Sequence, residues 1–157
     1  MTQQPGAPRW LTAIEACLDA HGRRGGFIAK LTRYHPALVE EMARALGLAY
    51  VDFRAERLKP LGWDAARLPL TAIDEAIADG IAPSGLVLQN AEALLATKPA
   101  SERRAFLAHF LDTPRGHPVV IPIAAHEADL PARCSRVVEI DADEAPQESL
   151  LLRLARQ

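Results

Sequence analysis

The chain is poor in sulfur: among 157 residues there are two cysteines, Cys17 and Cys134. Two distant thiols make neither a disulfide framework nor a metal-ligand spacing. A reduced, cytoplasmic setting is expected, with both cysteines as small core or half-buried side chains. Long apolar runs are also missing. None approaches the roughly 20 residues that would cross a bilayer, so no membrane partner is expected. The opening MTQQPGAPRW lacks the apolar stretch of a secretory signal. Charge of one sign is not in excess: 18 basic and 20 acidic residues leave a net charge of −2, which excludes a general field for polyanions. His109, His117 and His126 are eight and nine residues apart on different expected elements, and no nearby acid completes a metal set. No Gly-x-Ser-x-Gly elbow occurs.

What is present is ordinary for a globular domain, with 49% hydrophobic and 24% charged residues. Residues 1–8, rich in Gln, Pro and Gly, read as a loose tail, and 9–157 as one domain. Helical periodicity marks Trp10–Ala20, followed by the glycine-rich HGRRGG. Phe27–Leu31 reads as a strand. Pro36 suits the first turn of a helix that continues over Ala37–Leu46 and stops at Gly47. Leu48–Phe53 is a second strand. Residues 54–69, with Pro60, Gly62 and Pro69, read as a loop with one helical turn at most. Thr71 is expected to cap a helix over Ala72–Asp79, with Asp74 as the acid of a capping box. A third strand covers Gly85–Leu88, and a short helix Glu92–Thr97. Ser101 is expected to cap a helix over Glu102–Leu111. Strands Val119–Ala124 and Arg136–Ile140 and a last helix Pro146–Arg156 complete the order.

The strands are continuous apolar runs alternating with helices. That pattern predicts a three-layer α/β domain with a five-stranded, mainly parallel sheet covered on both faces. Val87, Leu88, Val120, Ile121, Val137 and Val138 are expected to be central and buried on both sides.

Two stretches carry a resemblance. HPVVIPIAAHEADLPARCSRVVEID, residues 117–141, and GLVLQNAEALL, residues 85–95, resemble the corresponding parts of AAA+ ATPases of the P-loop NTPase class, clamp-loader subunits especially. The likeness covers roughly residues 26–141. A more distant likeness is to the small P-loop proteins of BREX phage-exclusion systems. The resemblance implies a sheet of P-loop NTPase (AAA+) type and a setting such as DNA replication or repair. It implies a sensor position at the end of VVIPIA. It places an arginine-finger region at Arg133 and Arg136, and the Walker B acids at Gln89 and Glu92.

The catalytic residues depart from that pattern. A phosphate-binding loop needs curled backbone amides, glycines to allow the curl, and a lysine at the helix start. Between the first strand and helix stands Thr32-Arg33-Tyr34-His35-Pro36, without glycine and without Gly-Lys-Ser/Thr. Lys30 belongs to the strand, and Pro36 removes an amide. Walker A is absent. Gln89 cannot supply the charge an Mg²⁺ site wants, and Glu92 lies a helical turn further on, so Walker B is degraded as well. Phosphoryl transfer rests on positioning and charge neutralisation. The leading expectation is therefore a catalytically silent module that binds another protein or itself, using Arg133 and Arg136. No cofactor is expected, ATP and Mg²⁺ included. Two alternatives remain open at this point. One is a nucleotide-binding enzyme with an anion site at Arg33 and His35, beside a helix N-terminus. The other is an accessory nucleic-acid-binding subunit, in which Arg23, Arg24, Arg33, Arg54, Arg57 and Lys59 gather at the carboxyl ends of the first two strands.

Overall fold

Five short apolar runs align in one sheet whose strands are all parallel, in the order β2-β3-β4-β1-β5. These are β1 (Gly25–Leu31), β2 (Ala49–Asp52), β3 (Leu86–Gln89), β4 (Pro118–Ile123) and β5 (Val137–Ile140). The structure is a computed structural model that describes residues 7–80 and 82–144. The expected last helix, Pro146–Arg156, and most of the expected tail lie outside the described residues. No helix among the described residues is long and apolar enough to cross a membrane.

Successive side chains of a strand point to opposite faces, and both faces here are covered. Phe27, Ala29, Val87 and Val120 face a core built with α1 (Arg9–Ala20) and α2 (Pro36–Leu46). Ile28, Leu86, Leu88, Val119 and Ile121 face a second core, built with α3 (Thr71–Gly80), α4 (Glu92–Leu95) and α5 (Ala100–Asp112). In α1 the buried residues are Trp10, Ile14 and Leu18, spaced by four so that they form one stripe. Pro36 occupies the first turn of α2, and Gly47 ends that helix with φ at 69°.

The α/β architecture and the parallel sheet agree with the sequence reading, and some details differ. Val87, Leu88, Val120 and Ile121 are fully buried, whereas Val137 and Val138 are only partly so. β5 is an edge strand, and an edge leaves part of an apolar run uncovered. Thr71 lies inside the first turn of α3 instead of capping it. Ser101 likewise lies inside α5, whose cap is Pro99 with no side-chain hydrogen bond. Residues 54–67 are not a plain loop: a π-helical turn, Arg54–Leu58, runs into a 3-10 segment, Lys59–Arg67, kinked at Gly62 (φ 57°).

The topology opens a gap. After β1 the chain leaves over the α1–α2 face, and after β4 it leaves over the opposite face, where Leu130 and Cys134 pack. β1 and β4 are neighbours, so their following segments diverge, and a crevice forms at their carboxyl ends. It widens toward β3. The β1–β4 pairing runs to Ile123, but the β3–β4 pairing ends at Val120, two residues before Pro122. At the other end of the sheet the backbone is tight: a Cβ on Gly85 (φ 114°) would lie 2.5 Å from the Pro118 carbonyl oxygen.

Candidate functional site

The crevice has a volume of about 350 Å³. Leu31, Pro122 and Ala124 give it apolar walls, and Ala93 and Ala96 close it from the side of α4. Gln89, the last residue of β3, lines it at 2% exposure. Its Oε1 is buried and has no hydrogen-bond partner among the described residues. A buried acceptor left unpaired costs about 1–3 kcal/mol, so this atom stands out in an otherwise satisfied site.

A chain of hydrogen bonds crosses the rim. Tyr34 donates from its hydroxyl to Asn90 Oδ1 over 2.9 Å, and Asn90 Nδ2 donates to Asp52 Oδ1 over 2.9 Å. Asp52 also accepts from the amide of Ala55, which fixes the start of the 54–67 segment. Asn90 holds φ at 66°, a left-handed conformation that asparagine tolerates better than most residues. The Tyr50 hydroxyl is pushed up to about 12 by burial, and by the negative charges of Asp52 and Glu40 and the nearby Tyr34. It stays protonated at any ordinary pH.

The segment between β1 and α2, where the resemblance places a phosphate loop, is occupied by the chain's own groups. His35 precedes α2, and its Nδ1 accepts the Leu38 amide over 3.1 Å. That amide is among those an anion at this helix start would bind. Arg33 donates from Nε to Asp143 Oδ1 over 2.8 Å, away from the helix start. Thr32 Oγ1 accepts the Ala142 amide. Arg33 and His35 are thus close in sequence but engaged with different partners.

Glu92 lies at the start of α4, and its carboxylate reaches across to the end of β4. Oε1 accepts the Ala124 amide; Oε2 accepts the amides of Ala125 (2.9 Å) and His126 (3.1 Å) and sits 2.8 Å from His126 Nδ1. Three successive amides curled around one carboxylate form an anion nest. Here the anion is an internal one. Gln89 and Glu92 share the crevice, but Glu92 is committed to the β4 end.

Arg133 and Arg136 diverge. Arg133 is exposed and lines a shallow cleft with Lys30, Glu127 and Glu139. Arg136 turns inward: Nη1 donates to the Arg24 carbonyl over 2.7 Å, and the guanidinium lies 5.0 Å from the Phe27 ring centre. Arg136 also sits at the amino end of β5, away from the crevice. The expected gathering of basic residues does not form. Arg23 pairs with Asp19, Arg33 with Asp143 and Arg57 with Asp79, while Arg23 and Arg24 precede β1 at the far end of the sheet. Arg54 alone of that set lines the crevice.

No group of three His, Cys, Asp or Glu among the described residues could hold a metal ion. Burial raises the Cys17 thiol above its ordinary value, with Arg136 opposing and Cys134 adding to the shift. A thiol held protonated is a poor nucleophile. Sequence reasoning assigns no role to Asp52 or Asn90, and weighs His126 only as a metal ligand. Asp52 and Asn90 end or follow neighbouring parallel strands, and that position was their one signal. No protein-family model matches the chain, and no curated protein matches it.

Proposed function

We propose that this domain is a catalytically silent module of P-loop (AAA+) type that acts in the cytoplasm by binding protein, in a setting such as DNA replication or repair. Its sheet keeps the parallel layout and the crevice that an ATPase would use. The observation that carries the reading is the contact of His35 Nδ1 with the Leu38 amide. The chain supplies its own ligand where a phosphate would have to sit, and Pro36 removes a further amide. Glu92 points the same way, because an acid held on three amides is not free for a cation. Arg133, exposed beside the Glu127–Asp129 turn, is an outward arginine such a module would offer to a partner. A nucleic-acid role has less support, since Arg23, Arg33 and Arg57 each already face an aspartate.

The test is ATP hydrolysis by the purified protein against a Gln89→Leu variant. Equal, background-level rates are expected. Turnover above that control, abolished by changing Arg33 or Lys30, contradicts the reading.

A further inference from the structure

A cleft of about 460 Å³ opens at the amino ends of the strands, the end of the sheet away from the crevice. Arg24, Arg115 and Arg136 line it, with Gly25 at the start of β1 and Asp112 at the end of α5. Three guanidinium groups thus meet there from three separate segments. Arg136 lies over Phe27 and donates to the Arg24 carbonyl. Glycine at position 25 permits this approach, because a Cβ there would lie 2.6 Å from Arg136 Nη1. Arg115 lies over Phe110, its guanidinium carbon 5.6 Å from the ring centre. A ring contact occupies the face of a guanidinium and leaves the N–H donors of its edge to other partners.

These cations are short of anions. The Arg115 side chain is 17% exposed, and its Nε is buried with no hydrogen-bond partner among the described residues. Its one ion pair among those residues is with Asp74, at 3.7 Å, too far for a hydrogen bond. Arg136 bonds a neutral carbonyl. A cation taken out of water is costly unless a paired anion and hydrogen bonds offset the loss. Three arginines set against Asp74 and Asp112 leave a net charge of +1. That matches one carboxylate and falls short of a polyphosphate. The lining residues Arg24, Asp112 and Pro114 are exposed, so a carboxylate can enter while still attached to a chain.

We propose that this cleft binds a carboxylate side chain from an acidic segment of a partner protein. Arg24, Arg115 and Arg136 donate to its two oxygens, the planar pairing for which arginine is suited. Nε of Arg115 is closed off, so that residue makes its contact through the Nη groups. The proposal rests on the reading of the domain as a protein-binding module, and it names the chemistry of the partner.

The test is a titration followed by nuclear magnetic resonance, with the Nε–H of Arg115 and the amide of Gly25 as reporters. The probe is a tetraglutamate peptide capped at both ends, raised to about 10 mM at constant ionic strength because exposed charges are screened. Its tetraglutamine counterpart and free acetate are the controls. Saturable shifts confined to the cleft are expected with tetraglutamate, none with tetraglutamine, and much weaker ones with acetate. Arg115→Gln should weaken binding about tenfold or more, as loss of a desolvated charge partner does. Arg24→Ala alters an exposed side chain, so it keeps the test decisive if Arg115→Gln does not fold; about threefold weaker binding is expected, the range of one exposed charge pair. Asp112→Asn removes an opposing charge and should tighten binding by about the same factor. Arg133→Ala, in the other cleft, should leave these shifts unchanged.

Shifts that tetraglutamine reproduces, that never saturate, or that centre on Arg54 or Arg133 overturn the proposal. So does binding that neither Arg115→Gln nor Arg24→Ala weakens. Acetate binding as tightly as the peptide would make the ligand a free carboxylate and overturn the partner segment. Those outcomes leave the silent-module reading standing, since it depends on nucleotide turnover. Turnover that depends on Arg33 or Lys30 would overturn that reading instead.

Discussion

Glu92 Oε2 lies 2.8 Å from Nδ1 of His126 and 3.1 Å from its main-chain nitrogen. With the amides of Ala124 and Ala125 on the same carboxylate, this contact ties the start of α4 to the end of β4. The acid that the resemblance would place near a metal is a strut between the first residue of α4 and the residues that follow β4. Its side chain is 17% exposed, so solvent does little to weaken these bonds. A hydrogen bond to a charged group contributes about 1.5–3 kcal/mol. Glu92→Ala leaves three amides unpaired and should cost about 3 kcal/mol. At about 2–4 °C per kcal/mol for a chain of this size, melting should fall by about 6–12 °C. Glu92→Gln, which keeps one acceptor oxygen, should cost less. Thermal melts of both variants check this. Unchanged melting with altered ATP hydrolysis would return Glu92 to a catalytic role.

The two arginines of the expected finger region should separate cleanly. Arg136 donates to the Arg24 carbonyl and covers Phe27. A partly desolvated cation–π contact and one hydrogen bond together contribute about 1–2 kcal/mol. Arg136→Ala should lower stability by that amount in a urea titration. Arg133 is exposed, and Arg133→Ala should stay within about 0.5 kcal/mol of wild type. A reversed order would mean that the inward and outward assignments are exchanged.

Acid sensitivity should centre on Asp129. Arg103 Nε donates to its Oδ2 over 2.6 Å, and Arg104 approaches Oδ1 at 3.5 Å. The Arg103 hydrogen bond holds the carboxyl below its ordinary value; burial opposes this, and the charges of Arg103, Arg104 and His126 add to it. Unfolded, the same group titrates near about 3.9. Between the two values the folded chain binds fewer protons, so stability rises with pH there. The contribution is full above about pH 4 and is lost as pH falls through the folded value. Wild type and Asp129→Asn, compared by urea titration at pH 6 and at successively lower pH, should therefore differ most at pH 6 and converge in acid. A difference that does not shrink would show that Asp129 does not act through its charge.

The sheet was legible because parallel strands buried on both faces leave continuous apolar runs, as in Leu86–Leu88 and Val119–Ile121. Edge position leaves no such mark, which is why Val137 and Val138 read like central residues. Ser101 and Thr71 looked like caps because capping chemistry is local, yet each helix begins one or more residues earlier. Pro60 and Gly62 broke the periodicity of the 54–67 segment, so its π and 3-10 turns, and the full exposure of Trp63, were hidden. In the site, the lack of glycine and of Gly-Lys-Ser/Thr between β1 and α2 and the uncharged Gln89 are plain in the sequence itself. The partners of Glu92 could not, because backbone amides carry no side-chain signature and lie 32 to 34 positions away. The bond from Tyr34 to Asn90 spans 56 positions and exists only once the strands are ordered.

A silent module should take no nucleotide at the crevice end of its sheet, and titration with nucleotide followed by thermal melting checks this. ATP and ADP are raised to about 1 mM, with and without Mg²⁺. A ligand at about 100 times its dissociation constant stabilises a fold by about 2.7 kcal/mol, or about 5–11 °C at this chain length. An unchanged melting temperature is expected with either nucleotide, whether or not Mg²⁺ is present. A rise of several degrees that needs Mg²⁺ and disappears in Arg33→Ala would contradict it.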